Sequence, residues 1–192
     1  RQALSLPDKR IIVFGAARID DPIKGFPTLM EAIRLLIQRK DFRSEELHLI
    51  FFGKTKYPQQ ILPLIPVSYT DMGWVSQAKE LSQIYSAADV AVSASLYETF
   101  GQTLIEAQSC GCLPVSFGNS GQADIIRHKE NGYLADYQSA ESLADGIKWG
   151  LTEGKERVSP EAMRNEVMTK YSGKVVAGQY INLYTSLLAS KL

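Results

Sequence analysis

The sequence predicts an α/β fold built on a doubly wound parallel sheet, and three observations predict it. Short apolar runs recur along the chain without polar alternation, as strands buried on both faces do. Segments with helical spacing of apolar residues stand between them. The strand–helix alternation runs with no internal repeat, low-complexity tract or linker, which points to one Rossmann-like domain over residues 1–192.

The elements follow in order. Arg10–Gly15 (RIIVFG) is a continuous apolar run closed by glycine and reads as the first buried strand. Phe26, Leu29, Met30, Ile33, Leu36 and Ile37 then recur at helical spacing, with Pro27 suited to a first helical turn. Leu47–Gly53 (LHLIFFG) is the second buried strand. Residues 54–68 hold three prolines and no clean period, so they read as a loop with a short helix around 59–64. A short strand falls within 67–75. Lys79–Ala88 is a helix with Leu81, Ile84, Tyr85 and Ala88 on one side, and Asp89–Ser93 is the strand after it. A helix over roughly 100–110, a strand at Leu113–Phe117, a short helix within 120–128 and a short strand at Gly132–Asp136 come next. Ser139 caps a helix whose stripe is Leu143, Ile147 and Leu151. Residues 152–160 read as a polar link, Pro160–Tyr171 as a helix, and Ser172 as the cap of a last helix with a wide apolar face from Val175 to Leu188.

Bulk properties exclude several classes of function. With 192 residues, 45% hydrophobic and 22% charged, the chain has the composition of a soluble globular protein able to bury a core. Its 21 basic and 21 acidic residues balance, which argues against a nucleic-acid partner. No apolar run approaches the ~18 residues of a membrane span, and no signal peptide is visible. The chain opens on Arg1 rather than Met, so it is expected to be part of a longer protein. Cys110 and Cys112 are too close to close a useful loop and have no second pair for a zinc site, which fits small buried residues in a reducing cytosol. His48 and His128 stand apart and form no metal or triad constellation. With no Asp-x-Asp anywhere, a carboxylate cage for a nucleotide-bound divalent ion is not supported.

The stretch from Ser93 to Pro114 (SASLYETFGQTLIEAQSCGCLP) concentrates the chemistry. Glu98 and Glu106 bracket a strand-to-helix corner, the place where α/β sheets bind ligands. Thr99 followed by Gln102 reads as a capping box. Gly101, in the first turn, lets a ligand approach the backbone. The free amides and positive end of the helix favour phosphate or sugar oxygens. Glu106 shares a helix face with Gln102 and Thr103, while Leu104, Ile105 and Ala107 remain to pack. Taken alone, the carboxylate pair fits a ligand site no better than it fits one capping carboxylate and one solvated helix glutamate.

Glu98-Thr99-Phe100-Gly101, Glu106-Ala107, Cys110-Gly111 and Pro114-Val115, in that order, resemble the E-x7-E region of glycosyltransferase family 4, and the resemblance extends over nearly the whole chain. These are retaining, nucleotide-sugar-dependent enzymes of the GT-B fold. The resemblance implies the C-terminal, donor-binding half of that fold, with the N-terminal acceptor domain outside this chain. It implies that Glu98 and the amides of Thr99, Phe100, Gly101 and Gln102 hold the donor sugar, with Glu98 the residue nearest catalysis, and that Glu106 holds the ribose. It also implies that the last helix crosses onto the acceptor domain, so part of its apolar face would be exposed in this chain.

Two further segments fit that expectation. The loop from Gly15 to Gly25 is not G-x-G-x-x-G, so a dinucleotide cofactor is disfavoured. It carries Arg18 and Lys24, which suit a diphosphate, although the loop alone favours two solvated surface cations. The family places an Arg and a Lys there on the donor diphosphate. Lys24-Gly25 matches well, whereas Arg18 stands further from Gly15 than is usual. Trp74 and Val75 fall where the family's chain passes the nucleobase, and Trp74 could stack on a base or serve only as a structural tryptophan. Asn119-Ser120-Gly121-Gln122-Ala123-Asp124 departs from the family's Gly-Gly-x-x-Glu, with Ser for the first Gly and Asp for the Glu, which leaves donor-sugar preference open. The expected ligand is therefore a nucleotide-diphosphate sugar, bound without a metal or cofactor. A glycan or lipid-linked acceptor is expected to be met through the other domain. The expected location is the cytoplasm, peripheral at the membrane through that domain. A sugar-nucleotide epimerase of GT-B type and a non-catalytic binding module are the alternatives.

Overall fold

The computed structural model describes residues 1–189. Six strands form one sheet: β1 (Arg10–Arg18), β2 (Leu47–Lys54), β3 (Ser68–Asp71), β4 (Val90–Ser93), β5 (Leu113–Phe117) and β6 (Tyr133–Ala135). All pairings are parallel and the order is β3-β2-β1-β4-β5-β6, so the expected doubly wound sheet is present. The helices are α1 (Phe26–Gln38), α2 (Pro58–Ile61), α3 (Ala78–Ala87), α4 (Gln102–Ser109), α5 (Gln122–Ile125), α6 (Ala140–Leu151), α7 (Glu153–Arg157), α8 (Pro160–Tyr171) and α9 (Gly173–Ala189).

Both faces of the central strands are buried, which explains the absence of alternation in their sequences. Ile12 and Phe14 of β1 face a core shared with α1 and α6, and Ile11 and Val13 face one shared with α3 and α4. The stripes read from the sequence do this packing. Leu143 and Ile147 are fully buried and Leu151 nearly so, under an N-cap in which Ser139 Oγ accepts from Ser142 N. Leu113–Phe117 is a strand over the residues expected.

Three local expectations are corrected. β1 continues past Gly15 to Arg18, because its backbone keeps pairing with β2 through a register shift although the apolar run has ended. The helix after β4 begins at Gln102, with Gly101 as N-cap at φ 94°, and the Thr99–Gln102 capping box does not form. Gly121 N donates to Glu98 O, which draws the chain sideways and leaves Thr99 two residues upstream of the cap. Residues 152–160 are not a plain link: Glu153–Arg157 is the short helix α7, with a Glu153–Arg157 ion pair and Gly154 packed on the Trp149 ring. Such a five-residue turn has no apolar period to read. Ser172 stands at the N-cap position of α9 as expected, extended at φ −62° with its carbonyl receiving Val176 N, and its hydroxyl makes no hydrogen bond among the described residues.

None of the described residues of α9 is buried, and Tyr180, Ile181, Leu183 and Tyr184 are all exposed. Among the described residues no helix is long and apolar enough to cross a membrane.

Candidate functional site

The strand order reverses between β1 and β4, and a crevice opens beyond the carboxyl ends of those two strands, the usual ligand position in such sheets. Two loops build it. After β1 the chain makes a single tight turn, Pro22–Lys24, capped by Asp21, whose carboxylate accepts from Ile23 N at 3.1 Å. Gly25 closes the turn at φ 67°, and a Cβ there would lie 2.0 Å from the Ala94 carbonyl oxygen, so no larger residue fits. Leu96 N donates to Ile23 O at 2.8 Å. The turn after β1 is therefore seated directly on the corner after β4.

That seating joins two residues 74 positions apart. Lys24 Nζ lies 2.6 Å from Glu98 Oε1, and Ser95 Oγ donates to the same oxygen at 2.8 Å. Both partners occupy Oε1, and among the described residues none donates to Oε2. The Glu98 side chain is about one-fifth exposed, at 21%. Among the described residues the amides of Phe100, Gly101 and Gln102 donate to no protein acceptor, as expected where a helix begins.

The second carboxylate faces an adjoining cavity of about 280 Å³, lined by Ala16, Ala17, Phe52, Gly53, Trp74, Val75, Leu81, Gln102, Thr103 and Glu106. Gln102 Nε2 donates to Glu106 Oε1 at 3.2 Å. Burial pushes the Glu106 carboxyl above the usual carboxylate range, opposed by hydrogen bonding from Gln102 and the Tyr85 hydroxyl nearby. That hydroxyl is buried and has no partner at ordinary hydrogen-bond length, and burial with the Glu106 charge pushes its own pKa well up.

The expected site residues divide into three sets. Lys24 and Glu98 meet at the crevice, Gly101 caps the helix that follows, and Gln102, Glu106, Val75 and Trp74 line the cavity beside it. Gly15 sits inside β1 rather than in a loop; a Cβ there would come within 2.1 Å of the Phe52 ring, which it allows to line the cavity. Arg18 is exposed and paired with Asp20 at 3.3 Å and Asp21 at 3.7 Å. Trp74 is 56% exposed, with Lys54 Nζ 4.8 Å from its ring centre, and it also walls a neighbouring depression with Arg18 and Lys56. Thr99 is exposed, and the Phe100 ring packs on Tyr171, with ring centres 5.7 Å apart.

The residues set aside are accounted for. His48 is buried between Ser68 and Thr70, each at 2.9 Å, and His128 bonds Leu134 backbone. Both cysteines are free, and burial raises the Cys112 thiol. Among the described residues no group of three or more His, Cys, Asp or Glu is placed to hold a metal. The sequence reading does not single out Ser95 and takes Tyr85 as a packing residue only, although a hydroxyl two residues past β4, on the reversal side of the sheet, is a usable signal.

Fold and site define an α/β domain with a lysine, a carboxylate and the start of a helix placed together at the reversal of its sheet. Residues 1–165 match the family model "Glycosyl transferases group 1", and the chain belongs to that family. It is 26% identical over 196 residues to a D-inositol 3-phosphate glycosyltransferase of Corynebacterium urealyticum, a match covering 97% of this chain and 46% of that protein. The solved sucrose-phosphate synthase of Thermosynechococcus elongatus superposes with a TM-score of 0.82 at 26% identity, covering 99% of this chain and 48% of the other. Anabaena HepE, solved with UDP and glucose, gives a TM-score of 0.76 at 20% identity over 100% of this chain and 51% of its own, a likeness of fold. The chain thus spans about half the length of these proteins, and its architecture is that of one Rossmann-like half of the GT-B glycosyltransferases.

Proposed function

We propose that this chain is the donor-binding half of a retaining glycosyltransferase, which transfers a glycosyl unit from a nucleotide-diphosphate sugar to a glycan or lipid-linked acceptor held by the other half. The observation that carries the proposal is the placement of Glu98, Lys24 and the uncapped start of α4 at the sheet reversal, with Glu106 in the next cavity. Glu98 Oε2 accepts from hydroxyls of the donor sugar, and Glu106, oriented by Gln102, accepts from the ribose. Trp74 stacks on the base beside Val75. Lys24 and the amides of Phe100 to Gln102 stabilise the charge that grows on the diphosphate as the glycosidic bond breaks. Arg18 joins them once the ligand draws it from Asp20 and Asp21.

The chemistry is positional and electrostatic. Cations and amides neutralise the diphosphate, so no metal is required. The complexes of UDP with HepE support a uridine nucleotide as the first ligand to try. The proposed location is the cytoplasm, with contact to a membrane made through the acceptor half.

A thermal-shift panel of UDP, GDP and ADP with their sugars, run on the 192-residue chain with and without EDTA, tests this reading. One base family should raise the melting temperature equally in both conditions. No shift with any nucleotide would overturn it.

A further inference from the structure

Glu98 is held from more sides than a surface carboxylate needs. Ser95 Oγ donates to Glu98 Oε1 at 2.8 Å. Glu98 N donates to Ser120 Oγ at 3.2 Å, Ser120 Oγ donates to Gln122 Oε1, and Gln122 Nε2 donates to Ser95 O at 3.4 Å. The chain of bonds closes on itself: Ser95, Glu98, Ser120 and Gln122 form one ring. Gln122 is fully buried and Ser95 is 3% exposed, so most of the ring is sealed from water. Gly121 N donates to Glu98 O at 3.0 Å, and a Cβ on Gly121 would lie 2.5 Å from Thr99 O, so the 120–122 turn presses directly against the corner.

We infer that Ser120 and Gln122, with Ser95, are positioning residues that fix the Glu98 carboxylate and its backbone, and so set how firmly the donor sugar is held. The inference rests on the reading of Glu98 as the sugar-holding carboxylate. Lys24 alone would leave that carboxylate free to swing about a single flexible ammonium, a point charge without directional preference. The Ser95 hydroxyl fixes the direction of Oε1, and the Ser120 hydroxyl fixes the peptide that carries the side chain. Gln122 couples the two, because its Oε1 accepts from the Ser120 hydroxyl while its Nε2 donates to the backbone carbonyl of Ser95. Ser120 is the member on which the ring depends: its hydroxyl both accepts from Glu98 N and donates to Gln122. A glycine at this position would have neither bond to offer.

The experiment is calorimetry on the 192-residue chain with UDP and UDP-glucose, or GDP and GDP-mannose if guanine nucleotides give the larger thermal shift. The quantity read is the ratio of the two dissociation constants, nucleotide over nucleotide sugar. Ser120→Ala should lower that ratio about tenfold, the scale of a sub-ångström displacement of a positioning group, with a smaller change for the nucleotide alone. Ser120→Gly should do the same, and it serves if the alanine variant is poorly folded. Ser120→Thr, which keeps the hydroxyl, should retain most of the ratio. In a Glu98→Ala background, Ser120→Ala should change nothing further. An unaltered ratio in both hydroxyl-free variants, where Glu98→Ala does lower it, would overturn the ring's role while leaving Glu98 in place. An equal loss with and without Glu98 would also overturn it. If Glu98→Ala leaves the ratio unchanged, the reading of Glu98 fails, and this inference with it.

Discussion

Replacing Glu106 with glutamine should remove the preference for ribose over 2′-deoxyribose while leaving the domain folded. The carboxylate lines the 280 Å³ cavity, with Gln102 on Oε1 at 3.2 Å, and Oε2 is left as the stronger acceptor for a vicinal diol. Glutamine keeps the shape but loses the charge and turns an NH₂ toward one hydroxyl. A charge-assisted bond is worth about 1.5–3 kcal/mol and a neutral one about 0.5–1.5 kcal/mol. Two weakened bonds cost about 2–3 kcal/mol, or roughly 30- to 150-fold in Kd. The pH dependence follows with a definite sign. Burial raises the Glu106 carboxyl above 4.5, so it takes up its proton at a higher pH than an exposed glutamate. A protonated carboxyl is a poorer acceptor, so ribonucleotide affinity should fall as pH drops through that raised value, and the variant should lack this step. The unliganded fold responds in the opposite sense. A raised carboxyl favours folding most when protonated, and that contribution is lost as pH rises. The neutral variant should therefore melt no lower than the unaltered chain at pH 7. Calorimetry with a ribonucleoside diphosphate and its 2′-deoxy form, across pH, measures all of this. Equal affinity of the unaltered chain for both forms would reduce Glu106 to a structural helix residue and refute the reasoning.

Three further outcomes are expected. Lys24→Ala should weaken nucleoside diphosphate binding tenfold or more, the loss of one charge-assisted contact of about 1.5–3 kcal/mol, and EDTA should not weaken the unaltered chain; strict magnesium dependence with normal binding by Lys24→Ala would contradict this. Glu166 on α8 pairs with Arg127 and Lys170, which hold its carboxyl down at about 2. That pairing stabilises the fold above the ordinary value of 4.5 and is lost as pH falls toward 2. Glu166→Gln should therefore cost up to about 1 kcal/mol at pH 7, as for a partly exposed pair, and converge with the unaltered chain in acid melts. Lastly, the isolated chain should transfer no sugar to any acceptor in a product assay, because the proposed acceptor half lies elsewhere; transfer would show that the division into halves is wrong.

The parts of this fold legible in the sequence are those whose cause is local. Leu113–Phe117 reads as a strand because both faces are buried, and Leu143, Ile147 and Leu151 read as a stripe because one helix face packs. α7 has only five residues, a packed glycine and surface charges, so periodicity cannot reveal it. The capping box at Thr99 satisfies every local rule, yet the 120–121 turn moves the corner and moves the cap to Gly101. The site follows the same division. Glu106 and Gln102 are one helical turn apart and visible as a pair. Lys24 and Glu98 meet only because Gly25 seats one loop against Ala94, which no local pattern announces. Arg18 suits a phosphate by type, but Asp20 and Asp21 lie within three residues and hold it. Phe100 turns toward Tyr171 because α8 and α9 offer it an apolar surface.

The central claim is that Glu98 serves the sugar and Glu106, in the adjoining cavity, the nucleotide. The most direct measurement is calorimetry of a nucleoside diphosphate against its nucleotide sugar on Glu98→Ala and Glu106→Gln. Glu98→Ala should keep diphosphate affinity nearly unchanged and lose the part of the affinity that depends on the sugar, while Glu106→Gln should weaken both ligands alike. Equal losses for both ligands in Glu98→Ala would contradict the account, because Glu98 would then serve the nucleotide or the fold.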